Sequence, residues 1–142
     1  MNLKIKEDYA ELTGLRHCNI SKKSGEDFYH TLLNNKFAEA IQKREVLIID
    51  LDDTDGYASS FLDEAFGNLV YDFELVNVEK FVKIISKDEP HWITMLSKKT
   101  YKEWEDRRIK GEVPKKTNSH SPWYRFIDGE IQKKKWIVEV SE

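Results

Sequence analysis

Val46-Leu47-Ile48-Ile49-Asp50-Leu51 is the stretch on which the fold turns. A continuous apolar run rich in β-branched side chains reads as a strand covered on both faces, the usual state of strands in parallel sheets. Upstream of it, Phe28, Leu32, Leu33, Phe37, Ala40 and Ile41 recur at helical spacing. Ser24-Gly25 marks the start of that helix, where Glu26 and Asp27 suit the positive end of its dipole. Downstream, Phe61, Leu62, Ala65, Phe66, Leu69, Val70 and Phe73 predict a second amphipathic helix, with Ser59 or Ser60 as its N-cap. Phe81 to Ser86 reads as another strand. Pro90 suits a further helix start, and Ile93, Leu96, Tyr101 and Trp104 give a weaker helical pattern ending at Arg107-Arg108. This alternation predicts an α/β domain with a parallel or mixed sheet. Leu3–Ile5 and Arg16–Ile20 are expected as short strands that complete the sheet.

Lys110 to Pro122 changes character: Gly111, two prolines, Asn118, Ser119 and Ser121 predict a loop. Beyond it, Trp123 to Ile127 and Ile131 to Val140 flank Asp128-Gly129, a strong hairpin signal because Gly tolerates the positive φ of a type I′ turn. The expected layout is an α/β domain over residues 1–110, with a loop and C-terminal β-hairpin over 111–142 packed on it.

Composition narrows the function classes. The chain has 142 residues, of which 39% are hydrophobic and 35% charged, so it is long enough to bury a core without a disulfide or metal staple. The lone Cys18 excludes an intramolecular disulfide and suits a reducing compartment. No apolar stretch approaches the ~18 residues of a spanning helix, and the first ten residues lack the apolar core of a signal peptide. A cytoplasmic protein with no membrane contact is expected. Residues 1–96 carry 11 Lys and Arg against 18 Asp and Glu, whereas residues 97–142 carry 12 against 8. The body is therefore a poor nucleic-acid surface. The tail interleaves Lys115-Lys116, Arg125 and Lys133-Lys134-Lys135 with Trp123, Tyr124, Phe126 and Trp136. That pattern serves either a packed hairpin or a binder of single-stranded nucleic acid, and packing is the simpler reading. His17, His30, His91 and His120 show no metal-ligand spacing, and no glycine-rich phosphate loop is present, so neither a metal nor a cofactor is expected.

Two motifs overlap at the decisive strand. Asp50-Leu51-Asp52-Asp53-Thr54 resembles the first motif of haloacid-dehalogenase-like phosphotransferases. That resemblance would make Asp50 a nucleophile and Asp52 a general acid–base beside Mg²⁺, with Ser86 as a phosphate-binding hydroxyl. A later acidic pair at another strand end would have to complete the ion site, and the downstream candidates are Asp88-Glu89, Glu103, Glu105 and Asp106. The second motif covers more of the chain. The strand ending in Asp50, the acidic loop, Gly56-Tyr57-Ala58 and Ser59-Ser60-Phe61-Leu62-Asp63-Glu64-Ala65-Phe66-Gly67 resemble the core of STAS-like domains, over roughly residues 24–90. This is the fold of anti-sigma-factor antagonists and of an uncharacterised bacterial STAS-like subfamily.

The resemblance implies a mixed sheet with helices packed against it and a non-catalytic signalling role. The partner it implies is a protein, either an ATPase of the histidine-kinase-like fold or another regulator. It also implies phosphorylation of a serine at the helix start, the place that Ser60 holds with Ser59 beside it. Physically, phosphate at a helix N-terminus meets free N–H groups and a favourable dipole. Ser60 with Asp63 also reads as a capping-box-like pair. The expected contact residues are Tyr57, Ser59, Ser60, Asp63 and Glu64.

Overall fold

The computed structural model describes residues 1–141. Strand β2 (Leu47–Asp50) lies at the centre of a three-stranded sheet, between β1 (Asn2–Lys4) and β3 (Val82–Ile85). Both pairings are parallel, with Leu3 opposite Ile49 and Ile49 opposite Ile84. Leu47 and Ile49 are fully buried, while Ile48 and Asp50 remain partly exposed. The strand is therefore covered on one face rather than the two expected from its apolar run. Strand order explains this: two right-handed crossovers that step the same way put their helices on the same side of the sheet.

The first crossover begins with a short helix α1 (Ile5–Asp8) and a loop that includes Arg16–Ile20, expected as a strand. The loop's backbone bonds go elsewhere. The carbonyls of Leu15 and Arg16 accept from the N–H groups of Gly25 and Glu26, and Gly14 N–H donates to the Lys23 carbonyl. The segment closes onto the helix start instead of extending along the sheet. Ser24 caps α2 (Gly25–Phe28), its hydroxyl accepting from Asp27 N–H at 3.0 Å. The helix runs on through a π-helical turn (Tyr29–Leu33) into α3 (Asn34–Lys43).

The second crossover carries α4 (Ser59–Phe73) and α5 (Leu75–Phe81), then β3. Glu74 joins the two helices at φ 72°, which breaks the helical run. A third helical stretch follows Pro90: α6 (His91–Met95), a π-helical turn (Leu96–Thr100) and α7 (Tyr101–Lys110), which ends on Gly111 at φ 71°. Two close approaches fix α4 between its neighbours. Gly25 lies against the Phe61 carbonyl, and Gly67 against the indole of Trp104; a Cβ at either place would fall inside van der Waals contact.

Strands β4 (Trp123–Ile127) and β5 (Glu130–Lys134) form a separate antiparallel hairpin whose turn residues, Asp128 and Gly129, both have positive φ. Pairing stops at Lys134, short of the expected Val140. The chain turns back there: Trp136 Nε1 donates to the Trp123 carbonyl, and Ser141 N–H to that of Lys116. Trp123 is 2% exposed, and Phe126 and Trp136 pack against the main core.

Candidate functional site

The aspartate motif sits at the C-terminal end of the parallel strands, the edge where open α/β sheets bind ligands. Its carboxylates are engaged by the protein. Asp50 Oδ1 accepts from Asp52 N–H at 2.9 Å. The two oxygens of Asp52 accept from the N–H groups of Lys87 and Asp88, at 3.0 and 2.9 Å. Lys4 Nζ reaches Asp53 at 2.7 Å, and Asp53 N–H donates to Asp88. Ser86 gives its hydroxyl proton to the Glu89 carbonyl. The space between these groups is only about 40 Å³, and Tyr57 closes one side with its hydroxyl on the Leu51 carbonyl. Burial pushes the Tyr57 phenol up to about 12. This edge is a stitched loop, with backbone amides where a phosphotransferase would need free carboxylate oxygens.

One turn away, α4 begins without a side-chain cap. Its N-cap residue is Ala58, so neither Ser59 nor Ser60 holds that place; Ser59 is the first helical residue and Ser60 the second. The expected Ser60–Asp63 pair is also absent. Asp63 instead takes Arg16 Nη1 at 2.7 Å and Trp104 Nε1 at 3.3 Å. Ser59 is exposed, while Tyr57, Ser60 and Asp63 are partly so. Glu64 is 2% exposed, bonded to Arg16 and Asn68, which removes it from the expected contact surface. The helix period decides this: Glu64, Asn68 and Asp72 follow one another at four-residue steps along a face that turns inward.

That face belongs to a buried polar network with no counterpart in the sequence reading. Glu26 is fully buried. Its carboxylate receives six hydrogen bonds: from His17 Nδ1, Cys18 N–H, Thr117 N–H and Oγ1, Asn118 N–H and His120 Nε2. Burial alone would push this acid up, but the donors led by His120 and Thr117 outweigh it and hold the carboxyl far below its usual range. Beside it, Lys116 is 3% exposed and donates to Asn68 Oδ1 at 2.7 Å, with the rings of Tyr29 and Trp123 each 5.6 Å from its ammonium. Burial pulls its pKa down. Asp72 bonds Tyr29 and Arg125. Two of the tail's cations, Lys116 and Arg125, thus face inward rather than toward an external phosphate.

Among the described residues, Cys18, Glu26 and His120 are the group whose ligand atoms come close enough to share an ion, within 4.8 Å. The Glu26 oxygens already have three donors each, and burial raises the Cys18 thiol to about 11. Its hydrogen bonds tie the N-terminal loop to the tail loop.

Residues 24–92 match the model of a family described as a STAS-like domain of unknown function (DUF4325). Over this segment the chain is similar to a STAS-like domain. The match runs from the Ser24 cap to Trp92, a little under half of the chain, and takes in β2, β3 and the uncapped helix start. No curated protein and no solved structure matches the chain. Within the matched segment, Gly67, which closes the Ser59-to-Gly67 stretch, is explained by the indole of Trp104, which lies outside the segment. No helix of the described residues is long and apolar enough to cross a membrane.

Proposed function

We propose that the protein is a non-catalytic interaction and signalling module that presents the Ser59 end of α4 to a regulatory protein partner under the control of serine phosphorylation. The observation that carries this reading is the exposed, uncapped start of a 15-residue helix with serines at its first two positions. A phosphoryl group there would be received by the free N–H groups and the positive end of the dipole. Tyr57, Ser60 and Asp63 complete the contact face. The partner class that fits is a serine-phosphorylating ATPase of the histidine-kinase-like fold or another regulator. The bound-up carboxylates of Asp50 and Asp52 speak against the phosphohydrolase reading, and the inward cations of the tail against nucleic-acid binding.

The test is affinity capture from the native host with wild type and a Ser59→Ala/Ser60→Ala variant, followed by intact-mass measurement. A partner retained by the wild type and altered by the variant is expected, with one phosphoryl group on the recovered chain. Mg²⁺-dependent turnover of p-nitrophenyl phosphate, abolished by Asp50→Asn and Asp52→Asn, would overturn the reading.

A further inference from the structure

A groove of about 380 Å³ opens where the C-terminal ends of α3 and α5 meet the β-hairpin, a volume within the range of ligand pockets. Its floor is apolar. Ile41, Phe81, Phe126 and Ile131 pack against the core and stay partly exposed along the groove. A contiguous apolar patch with a polar rim marks an interaction surface, unlike exposed side chains scattered singly. The rim here is cationic. Arg44 and Lys80 line the groove and no carboxylate does. Among the described residues, neither cation has an ion-pair partner. Helix capping does not account for Arg44, because the Ala40 and Ile41 carbonyls at the end of α3 accept from the backbone N–H groups of Arg44 and Glu45.

Through Phe81 the groove adjoins an open sheet edge. Phe81 lines it, and the next residue, Val82, begins β3, which has a neighbouring strand on one side only. Leu51 N–H donates to the Ile85 carbonyl, so Ile85, and Lys83 two residues before it, turn their backbone groups to β2. By the alternation of a parallel ladder, Val82 and Ile84 turn theirs outward. An edge of this kind accepts an extended chain as a further strand.

We propose that this face docks an extended peptide segment of a partner protein, one in which an apolar anchor is flanked by acidic residues. Its backbone pairs with Val82 and Ile84, the anchor enters the groove, and its carboxylates meet Arg44 and Lys80. Charge complementarity selects this occupant: a basic segment would set its cations against the rim, with no acid in the lining to receive them. The face shares no residue with the Ser59 end of α4, so the two proposals stand or fall separately.

The test is a fluorescence-anisotropy titration of the full chain with the labelled peptide Glu-Val-Glu-Phe-Glu-Val, with amide chemical shifts to place it. Saturable binding is expected, with shifts at Val82, Ile84 and the groove residues, and the same peptide with Lys in place of Glu should not bind. An Arg44→Gln/Lys80→Gln variant should bind about tenfold more weakly, the scale of one hydrogen bond to a charged group, with its melting temperature in place. N-methylation of alternate residues in the peptide reads the backbone pairing: one set should abolish binding and the other should spare it. Absence of saturable binding, equal binding of the lysine peptide, or indifference to both methylated sets would overturn the proposal. So would a dimer of the full chain, seen by sedimentation, whose interface covers the same amides, since a second copy would then be the occupant.

Discussion

At the scale of single residues, Glu26 carries the largest consequence. Its folded-state carboxyl is held below the ordinary value, so it stabilises the fold above about pH 4.5 and that contribution drains away as pH falls below it. Glu26→Gln would turn an amide's own donors toward the six donors that now converge there. We expect a loss of about 3–5 kcal/mol, as when one partner of a buried ionic cluster is removed, read from urea denaturation at pH 7. His30 supplies a second pH effect. Both its ring nitrogens are buried without partners, and its ring stacks on His120 at 3.7 Å. Burial, reinforced by Lys116, holds its pKa far below the usual value. Below about pH 6.5 the unfolded chain takes up a proton that the folded chain refuses, so stability falls at up to ~1.4 kcal/mol per pH unit. His30→Phe keeps the ring and should flatten that slope between pH 7 and 5; an unchanged slope would show that His30 titrates freely. Ser60→Ala should shift stability by less than about 0.5 kcal/mol, since the hydroxyl caps nothing.

At the scale of elements, α4 is clasped by two glycine contacts. Gly67→Ala pushes a methyl into the Trp104 indole and should cost about 1–3 kcal/mol, the range of core overpacking; a thermal melt reads it. The elements themselves were legible wherever a local period or a local cap ruled. The helix at Ser24 began as read because the cap lies three residues from the N–H it serves. The Asp128-Gly129 turn followed from positive φ alone. Arg16–Ile20, expected as a short strand completing the sheet, misled because the backbone beside it bonds to the α2 start instead. Glu64 misled because i+4 repetition of polar residues looks like a solvated face until tail residues cover it. Cys18, Glu26 and His120 carry no spacing signal, since their meeting depends on a loop more than ninety residues further on.

At the scale of the whole molecule, residues 112–123 supply Thr117, Asn118 and His120 to Glu26, Lys116 to Asn68 and Trp123 to the core. Deleting residues 111–142 leaves a buried carboxylate with most of its donors gone and uncovers an aromatic-lined face. We expect the 1–110 fragment to aggregate or to lose cooperative melting. A monomeric fragment with the full chain's melting temperature would show that the tail is an independent appendage. The full chain should also ignore single-stranded DNA at moderate salt, because Lys116 and Arg125 are spent internally.

The Glu26 cluster also sets an order of events. A ribosome releases Glu26 long before Thr117 and His120, whose contacts span 91 and 94 positions. Until those residues emerge, α2 cannot lose its water around that carboxylate without leaving a bare charge. Docking of α2 is therefore a late step, coupled to a closure of long sequence separation, the kind that slows folding. A double-jump refolding experiment would show it as one slow phase shared by probes in the N-terminal loop and the C-terminal hairpin.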